Sequence, residues 1–229
     1  MIGKKFIAPA LTIPGVEYEQ LQQTDLIRQL RLYFNLLDDY FKSTILDALN
    51  GGVGGNGITF SHIAASDSTD QYADGDNDPT LVKWNTLDSG YLWTLNSPGS
   101  ATADVAGIYK ITYSLQFINT DNAIHYAIVW LKVNNNNVAN SATKFLIPAR
   151  KSALAGEEGF LCAYSEVTFE VAVGDEIELW WATNKAYNTT GPVNGVYMIH
   201  EGVQTTPYAR PAVPSAVGSI TYVSAIPPA

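Results

Sequence analysis

One segment of the chain alternates between apolar and polar residues without a break. In GIYKITYSLQFI, residues 107–118, every second residue is large and apolar. Successive side chains of a β-strand point to opposite faces, so a strand brings these residues together on one side, which a helix does not. The segment therefore predicts a long strand with one apolar face. That face would carry Tyr109, Ile111, Tyr113, Leu115 and Phe117.

Extended segments of the same kind continue through the chain from residue 58 to its end. Turns are marked by the asparagine run 134–137 and by Gly174, because asparagine and glycine tolerate positive φ. Regular strands with turn signals and no helical period predict a β-sandwich or barrel. The other predicted strands are 124–133, 138–148, 160–171, 175–184, 195–203 and 215–224, with short strands 80–85 and 91–95 inside a loop-rich stretch, 66–104.

Residues 17–50 have a different pattern, which predicts a helix. Neither glycine nor proline interrupts them, and their leucine, glutamine and arginine residues are good helix formers. Apolar residues recur at spacings of three and four, as on one face of a helix. That face would either pack on the chain's own β domain or associate with copies of itself, and we favour self-association. Its expected contact residues are Ile27, Leu30, Phe34, Leu37 and Phe41.

Two short segments flank this predicted helical stem. Residues 51–57, GGVGGNG, contain five glycines and predict a flexible joint that ends the helix. Residues 1–16 are apolar and contain Pro9 and Pro14, so they do not form a core of their own. They would be either a loose terminus or an anchor peptide that orders against another protein. The prolines interrupt the apolar run that a signal peptide needs, and no run approaches a membrane span.

The charge of the chain argues against two classes of partner. The formal net charge is −9 and the isoelectric point is near 4.7. Nucleic acids and anionic membrane surfaces attract basic proteins, so neither is expected to bind this chain. A single cysteine, Cys162, excludes an intramolecular disulfide and suits synthesis in a reducing cytosol. We expect Cys162 to be a small buried residue of a strand, not a nucleophile.

The sequence carries no catalytic motif that we recognise. His62, His125 and His200 are far apart, and none belongs to a zinc-protease or nucleophile motif. His125 is expected to be a surface or hydrogen-bonded residue. Glu157, Glu158 and Glu166 would suit paired-acid glycoside hydrolysis, but scattered acids more often solubilise a surface. We therefore expect no enzyme activity and no cofactor.

The cluster Asp74-Gly-Asp76-Asn-Asp78 is a weak calcium candidate. Oxygen ligands at alternate positions are what a calcium loop supplies. However, Pro79 stands where such a loop needs glycine, and Asn85 stands where it needs glutamate. The alternative is an acidic, solvated loop, which we favour.

Four segments together resemble a known trimer-forming domain. They are AGIYKITYSLQF (106–117), WLKVNNNNVANSATKFLIP (130–148), EVTFEVAVGDEIELWW (166–181) and PAVPSAVGSITYV (211–223). The run is similar to the jelly roll of complement-type globular heads and tumour necrosis factor-like domains, above all to versions in tailed-phage fibre and virion proteins. Residues 14–40 also resemble the opening of phage structural proteins. The collagen-like stalk of complement proteins is missing, and the helix and glycine joint stand in its place.

The resemblance implies a tight homotrimer without catalysis, built as an anchor (1–16), a helical stem (17–50), a joint (51–57) and a jelly-roll domain (58–229). Such a protein would be a head decoration, fibre or spike on the virion surface, made in the host cytoplasm and attached to other virion proteins through residues 1–16. The displayed domain would stabilise the shell or bind a host-surface glycan or protein. Aromatic residues would line the three-fold interface. The candidates are Tyr109, Tyr113, Phe117 and Trp181, for which the alternative is a place in the core of each subunit.

Three other functions compete with this interpretation. A jelly-roll lectin is one, because exposed tryptophan and tyrosine rings suit sugar stacking. A glycan-active enzyme on the same fold is the second, although no acid pair or histidine constellation supports it. A secreted signalling ligand is the third, and the missing signal peptide and disulfides argue against it.

Overall fold

The computed structural model describes residues 30, 31, 33–35, 37, 60–96, 98–152, 154, 156–190 and 194–226. The chain divides into two compact units, Met1–Thr59 and Phe60–Ala229. The described residues of the first unit are helical, and they lie within the helix predicted for 17–50. The predicted anchor, the glycine joint, and the contact residues Ile27 and Phe41 lie outside the described residues.

The second unit is built of β-strands, as predicted. The strands are β1 (His62–Asp67), β2 (Gln71–Tyr72), β3 (Thr80–Leu81), β4 (Thr86–Tyr91), β5 (Trp93–Asn96), β6 (Ser100–Ala103), β7 (Gly107–Asn119), β8 (His125–Val133), β9 (Asn136–Asn137), β10 (Thr143–Ile147), β11 (Gly159–Val171), β12 (Glu176–Thr183), β13 (Val196–Met198) and β14 (Ala216–Ser224).

These strands form two antiparallel sheets of seven strands each. In the first sheet β7 is central, with β11 on one side and β14 followed by β1 and β4 on the other. The short strands β13 and β2 continue the β14 side of that sheet beyond Ala216. The second sheet has the order β10-β8-β12-β6-β5, and β9 and β3 extend it beside β8 and β12.

The chain crosses repeatedly from one sheet to the other. It passes from β6 to β7, back to β8 and β10, then through β11, β12 and β14. Strands that pair within a sheet are therefore mostly distant in sequence, as β7 is from β14. This is the winding of a jelly-roll sandwich, so the predicted fold of the β domain is confirmed.

The apolar core lies between the two sheets, and the alternation in β7 supplies much of it. All five residues of the predicted apolar face of β7 are buried, and the intervening residues are more exposed. Strand β12 faces it with Ile177, Leu179 and Trp181, and β8 adds Val129 and Leu131. Each sheet turns one face toward the core, and this explains why apolar residues recur at every second position of these strands.

The stretch 66–104 contains more strand than its loop-like composition predicts. All six residues of β4 are exposed, so this strand has no buried face and no apolar period. Its backbone is held by pairing with β1. Strand β6 buries the small residues Ser100, Ala101 and Ala103. Both strands form because a neighbouring strand supplies backbone partners, which local sequence does not reveal.

Candidate functional surface

The aromatic residues predicted to cross a three-fold axis belong to the core of a single chain. Tyr109, Tyr113, Phe117 and Trp181 are each at most 2% exposed. The rings of Phe117 and Trp181 lie 5.4 Å apart between the two sheets. The structure differs here from the predicted subunit interface. The face of β7 that carries Tyr109, Tyr113 and Phe117 is covered by the chain's own second sheet, which includes Trp181. An interface between subunits must use other residues.

Three of the predicted stem contacts are described. Leu30, Phe34 and Leu37 are helical, and Phe34 is 59% exposed, while the other two are half-buried. The rings of Tyr33 and Phe34 lie edge to face with centroids 5.8 Å apart. Self-association through this helix stays a prediction.

Strand β11 presents an apolar outer face that sequence analysis did not assign to a function. Phe160, Cys162 and Tyr164 point away from the core, at alternate positions of the strand. Cys162 is exposed, so the expectation of a buried cysteine is wrong. The physical reason is register: Ala163, not Cys162, lies opposite the buried Leu115 of β7.

The same strand forms an edge of the first sheet. Within the described part of the chain, β11 pairs with β7 alone, so the backbone groups along its other side have no strand partner. Its second half carries Glu166 and Glu170, and charges on an edge oppose unwanted pairing. Its first half, residues 159–165, carries no charge. That half is the unprotected part of the edge.

Neighbouring strands extend this apolar surface. Tyr164 lies in register with Ser114 of β7, and Ser114 with the exposed Val217 of β14. On strand β10, at the edge of the second sheet, Leu146 is 65% exposed on the outer face of that sheet, beside Tyr126 of β8. Thr143 of β10 and Ser165 of β11 approach within 3.5 Å through their hydroxyl oxygens, which ties the two edge strands together. We call Phe160, Cys162, Tyr164 and Val217 the apolar edge surface.

The imidazoles of His62 and His125 make structural hydrogen bonds. The imidazole of His62 contacts the Phe60 carbonyl oxygen and the Ser89 hydroxyl, each at 2.9 Å. His125 is buried, as the hydrogen-bonded residue that was expected, and both of its ring nitrogens have side-chain partners. His200 donates its backbone N–H to Asp70. A histidine whose two nitrogens are both occupied by structural partners has none free to activate a nucleophile.

The acidic candidates are dispersed among structural contacts. Asp76 accepts hydrogen bonds from the Ala186 backbone N–H at 2.8 Å and from the Lys185 ammonium at 3.4 Å. The described residues hold no group of three or more histidine, cysteine, aspartate or glutamate side chains able to bind a metal ion. The carboxylates of Asp74, Asp76 and Asp78 do not form such a group.

The acids considered for glycoside hydrolysis are also held by local contacts. Glu166 forms an exposed ion pair of 3.6 Å with Lys110 across the outer face of β7 and β11. Glu158 accepts a hydrogen bond from the Gly156 N–H, and Glu157 lies exposed in the same loop before β11.

No helix among the described residues is long and apolar enough to cross a membrane.

No protein-family model matches the chain, and no curated protein matches it. Among solved structures, the chain is similar to the globular domain of zebrafish complement 1qA protein. The TM-score is 0.43 and the identity 10%, and the match covers 73% of this chain and all of that domain.

Proposed function

We propose that the chain is a non-enzymatic display protein: a homotrimeric structural protein of a tailed-phage virion, acting as a head decoration, fibre or spike. In this proposal residues 1–16 attach the protein to the particle and residues 17–50 form the stem. The jelly roll is then carried outward for adhesion or for stabilisation of the shell.

The apolar edge surface is the observation that carries the proposal. Large apolar side chains on an uncharged sheet edge are an aggregation hazard for a protein that stays monomeric. A closed ring of identical subunits covers such an edge on every copy, which an open pairing does not. Self-association through residues 159–165 therefore gives these exposed side chains a purpose within a closed assembly.

The absence of catalysis and the virion location rest on different support. Both imidazole nitrogens of His125 are engaged by structural partners, and the scattered acids hold loops and strands. These contacts favour a structural protein over a glycan-active enzyme. The virion location is supported by the resemblance of residues 14–40 and of the strand segments to phage structural proteins.

Cys162 is a natural probe of the proposed contact, because it lies on the apolar edge surface between Phe160 and Tyr164. Light scattering on the purified full chain at about 10 μM should give the mass of three copies. A thiol reagent such as Ellman's reagent should react slowly with the native trimer and fully after denaturation. A monomer would overturn the homotrimer. A trimer whose Cys162 reacts at once would place the contact elsewhere and overturn the edge assignment.

A matched pair of variants sharpens this test. Tyr164→Glu places a charge on the apolar edge surface and should expose Cys162 to the reagent, even where the stem holds the subunits together. Tyr208→Glu changes a tyrosine of similar exposure outside that surface and should leave Cys162 protected. Equal reactivity in both variants would contradict the proposed contact.

The virion assignment needs the particle itself. Immunogold electron microscopy of the parent phage should label its surface with antibody against this chain. A chain lacking residues 1–16 should remain a folded trimer and fail to join the particle, because a short apolar segment adds nothing to the core of the β domain. Full incorporation of the truncated chain would show that the anchor lies elsewhere.

A further inference from the structure

A polar surface pocket of about 400 Å³ lies beside β2, and no step of the proposed assembly uses it. Its wall combines aromatic rings with carboxylate, ammonium and amide groups. Strand β2 supplies one tyrosine, the turn after it supplies acids, and the segment after β12 supplies the rest. The lining residues that matter here are Tyr72, Asp74, Asp76, Lys185, Tyr187 and Asn188.

The aromatic wall is a cluster of three mutually packed tyrosines. The ring of Tyr72 stacks on Tyr197 with centroids 5.1 Å apart and on Tyr187 with centroids 5.8 Å apart. The rings of Tyr187 and Tyr197 are 4.9 Å apart. Tyr197 backs the other two rings, which line the pocket. The cluster therefore presents supported rings, which do not have to be ordered when a ligand binds.

A hydrogen bond fixes the position of the Tyr72 ring. The Tyr72 hydroxyl donates to Asp70 at 3.2 Å, and Asp70 also accepts the His200 N–H at 2.8 Å. Burial, followed by the Asp70 charge, raises the pKa of Tyr197 to about 12, so its hydroxyl stays neutral at physiological pH. Tyr72 and Tyr197 are also held side by side by the pairing of β2 with β13.

The polar wall has unused hydrogen-bonding groups. Asp76 is held by Ala186 and Lys185, as described above. The carboxylate of Asp74, the Nδ2 group of Asn188 and the hydroxyl of Thr189 make no hydrogen bond to any described residue. The Asn188 amide is nevertheless oriented, because its Oδ1 accepts bonds from the backbone and hydroxyl of Thr190. Acceptors and donors consequently face the pocket beside the tyrosine rings.

We propose that this pocket is a binding site for a neutral saccharide. The C–H face of a pyranose ring is apolar and flat and stacks on an aromatic ring, whereas its hydroxyl groups point sideways. Here those hydroxyls would donate to the Asp74 carboxylate and accept from the Asn188 amide. This inference deepens the proposed display function by naming the kind of ligand that the displayed domain holds.

The charge of the pocket lining and the spacing of the tyrosine rings favour a neutral saccharide over an anionic sugar or a trimethylammonium ligand. The carboxylates of Asp74 and Asp76 outnumber the one ammonium group of the lining, that of Lys185, so sialylated or sulfated sugars are repelled. Trimethylammonium ligands bind in cages of separated aromatic rings. Rings whose centroids lie about 5 to 6 Å apart are in contact and leave no room between them for such a group.

The experiment is a glycan array of neutral, sialylated and sulfated oligosaccharides probed with the purified full chain. The strongest neutral glycan is then titrated by saturation-transfer NMR, with choline at up to about 10 mM as the cationic probe. We expect neutral glycans to bind, and Tyr187→Ala and Asp74→Ala each to weaken binding by about tenfold or more. Tyr208→Ala, at a tyrosine remote from the pocket lining, should bind as the wild type does.

Four other results would contradict the proposed saccharide site. These results are no binding of any neutral glycan, a preference for anionic glycans, binding of choline alone, or neutral binding that both variants leave intact. If Tyr187→Ala fails to fold, Asp74→Ala decides, because its exposed carboxylate bonds to nothing in the described structure. Light scattering on the same samples separates this outcome from that of the proposed assembly, since glycan binding and trimer mass are read independently.

Discussion

The Nε2 atom of His125 lies 2.9 Å from the Oδ2 atom of Asp121, and the other ring nitrogen lies 3.1 Å from the Asn184 amide nitrogen. The Asn184 Oδ1 atom accepts the Tyr126 N–H at 2.8 Å, which turns its NH2 group toward the ring. The Nδ1 atom of His125 is therefore an acceptor, and its Nε2–H donates to Asp121. This chain of contacts joins the β7–β8 turn to the end of β12.

The first prediction concerns Asp121. The hydrogen bond from His125 lowers the pKa of this carboxyl below its usual value. The folded state thus favours the ionised form, and the resulting stability is present above the unfolded pKa and is lost as the pH falls through the folded pKa. Asp121→Asn should lower the free energy of unfolding by about 1 kcal/mol at neutral pH. The deficit should shrink in acid, as measured by urea unfolding at several pH values.

The control for this prediction is Asp104→Asn, at an exposed carboxyl. Its stability should follow the wild type at every pH. A deficit of Asp121→Asn that stays constant into acid would show that the side-chain shape matters and its ionisation does not.

The second prediction concerns Tyr197, whose pKa burial raises to about 12. The folded state holds this proton after the unfolded chain has released it, so stability should fall as the pH rises through 10 to 12. Burial also raises the pKa of Tyr72, Tyr109 and Tyr113, so a tyrosinate absorbance titration should show several late-ionising groups, one of which Tyr197→Phe removes. Tyr208→Phe, at an exposed ring, should leave that late step in place. Loss of the late step in the control would contradict the assignment.

The third prediction separates core from interface at Phe117. This ring is 1% exposed in a single chain and packs on Trp181. Phe117→Ala should reduce the free energy of unfolding by about 3–5 kcal/mol, as for other large-to-small core substitutions. Its melting temperature should fall at every protein concentration. A folded variant that only dissociates would return Phe117 to the subunit interface.

The fourth prediction compares two glycines with open space around them. Gly174 has φ +84°, which favours glycine, whereas Gly202 has no positive φ, and neither would bring an added Cβ against a neighbour. Gly174→Ala should therefore destabilise the turn between β11 and β12 by about 1 kcal/mol, through backbone strain alone. Gly202→Ala should be neutral or slightly stabilising. Thermal unfolding of the two variants checks the difference, and equal effects would refute it.

Much of the fold was readable from the sequence because sandwich strands have one buried face. The alternation of Tyr109, Tyr113 and Phe117 predicted the strand β7 and the face that they share, and the structure confirms both. The exposed strand β4 was not readable, since it has no buried side and depends on pairing with β1. Periodicity reports burial, so it is silent where a strand is held by backbone bonds alone.

The candidate surfaces depended on tertiary structure. The sequence alone determined that Tyr109 and Phe117 share an apolar face, because side-chain alternation is a local property of a strand. Whether that face packs on the chain's own second sheet or on another subunit depends on the chain topology, which places β7 in one sheet and β12 in the other. The register of β11 on β7 turns Cys162 outward. The packing of distant segments brings Tyr72 beside Tyr187 and Tyr197, residues more than a hundred positions away. Contacts between distant segments follow from how the whole chain packs, which no local pattern encodes.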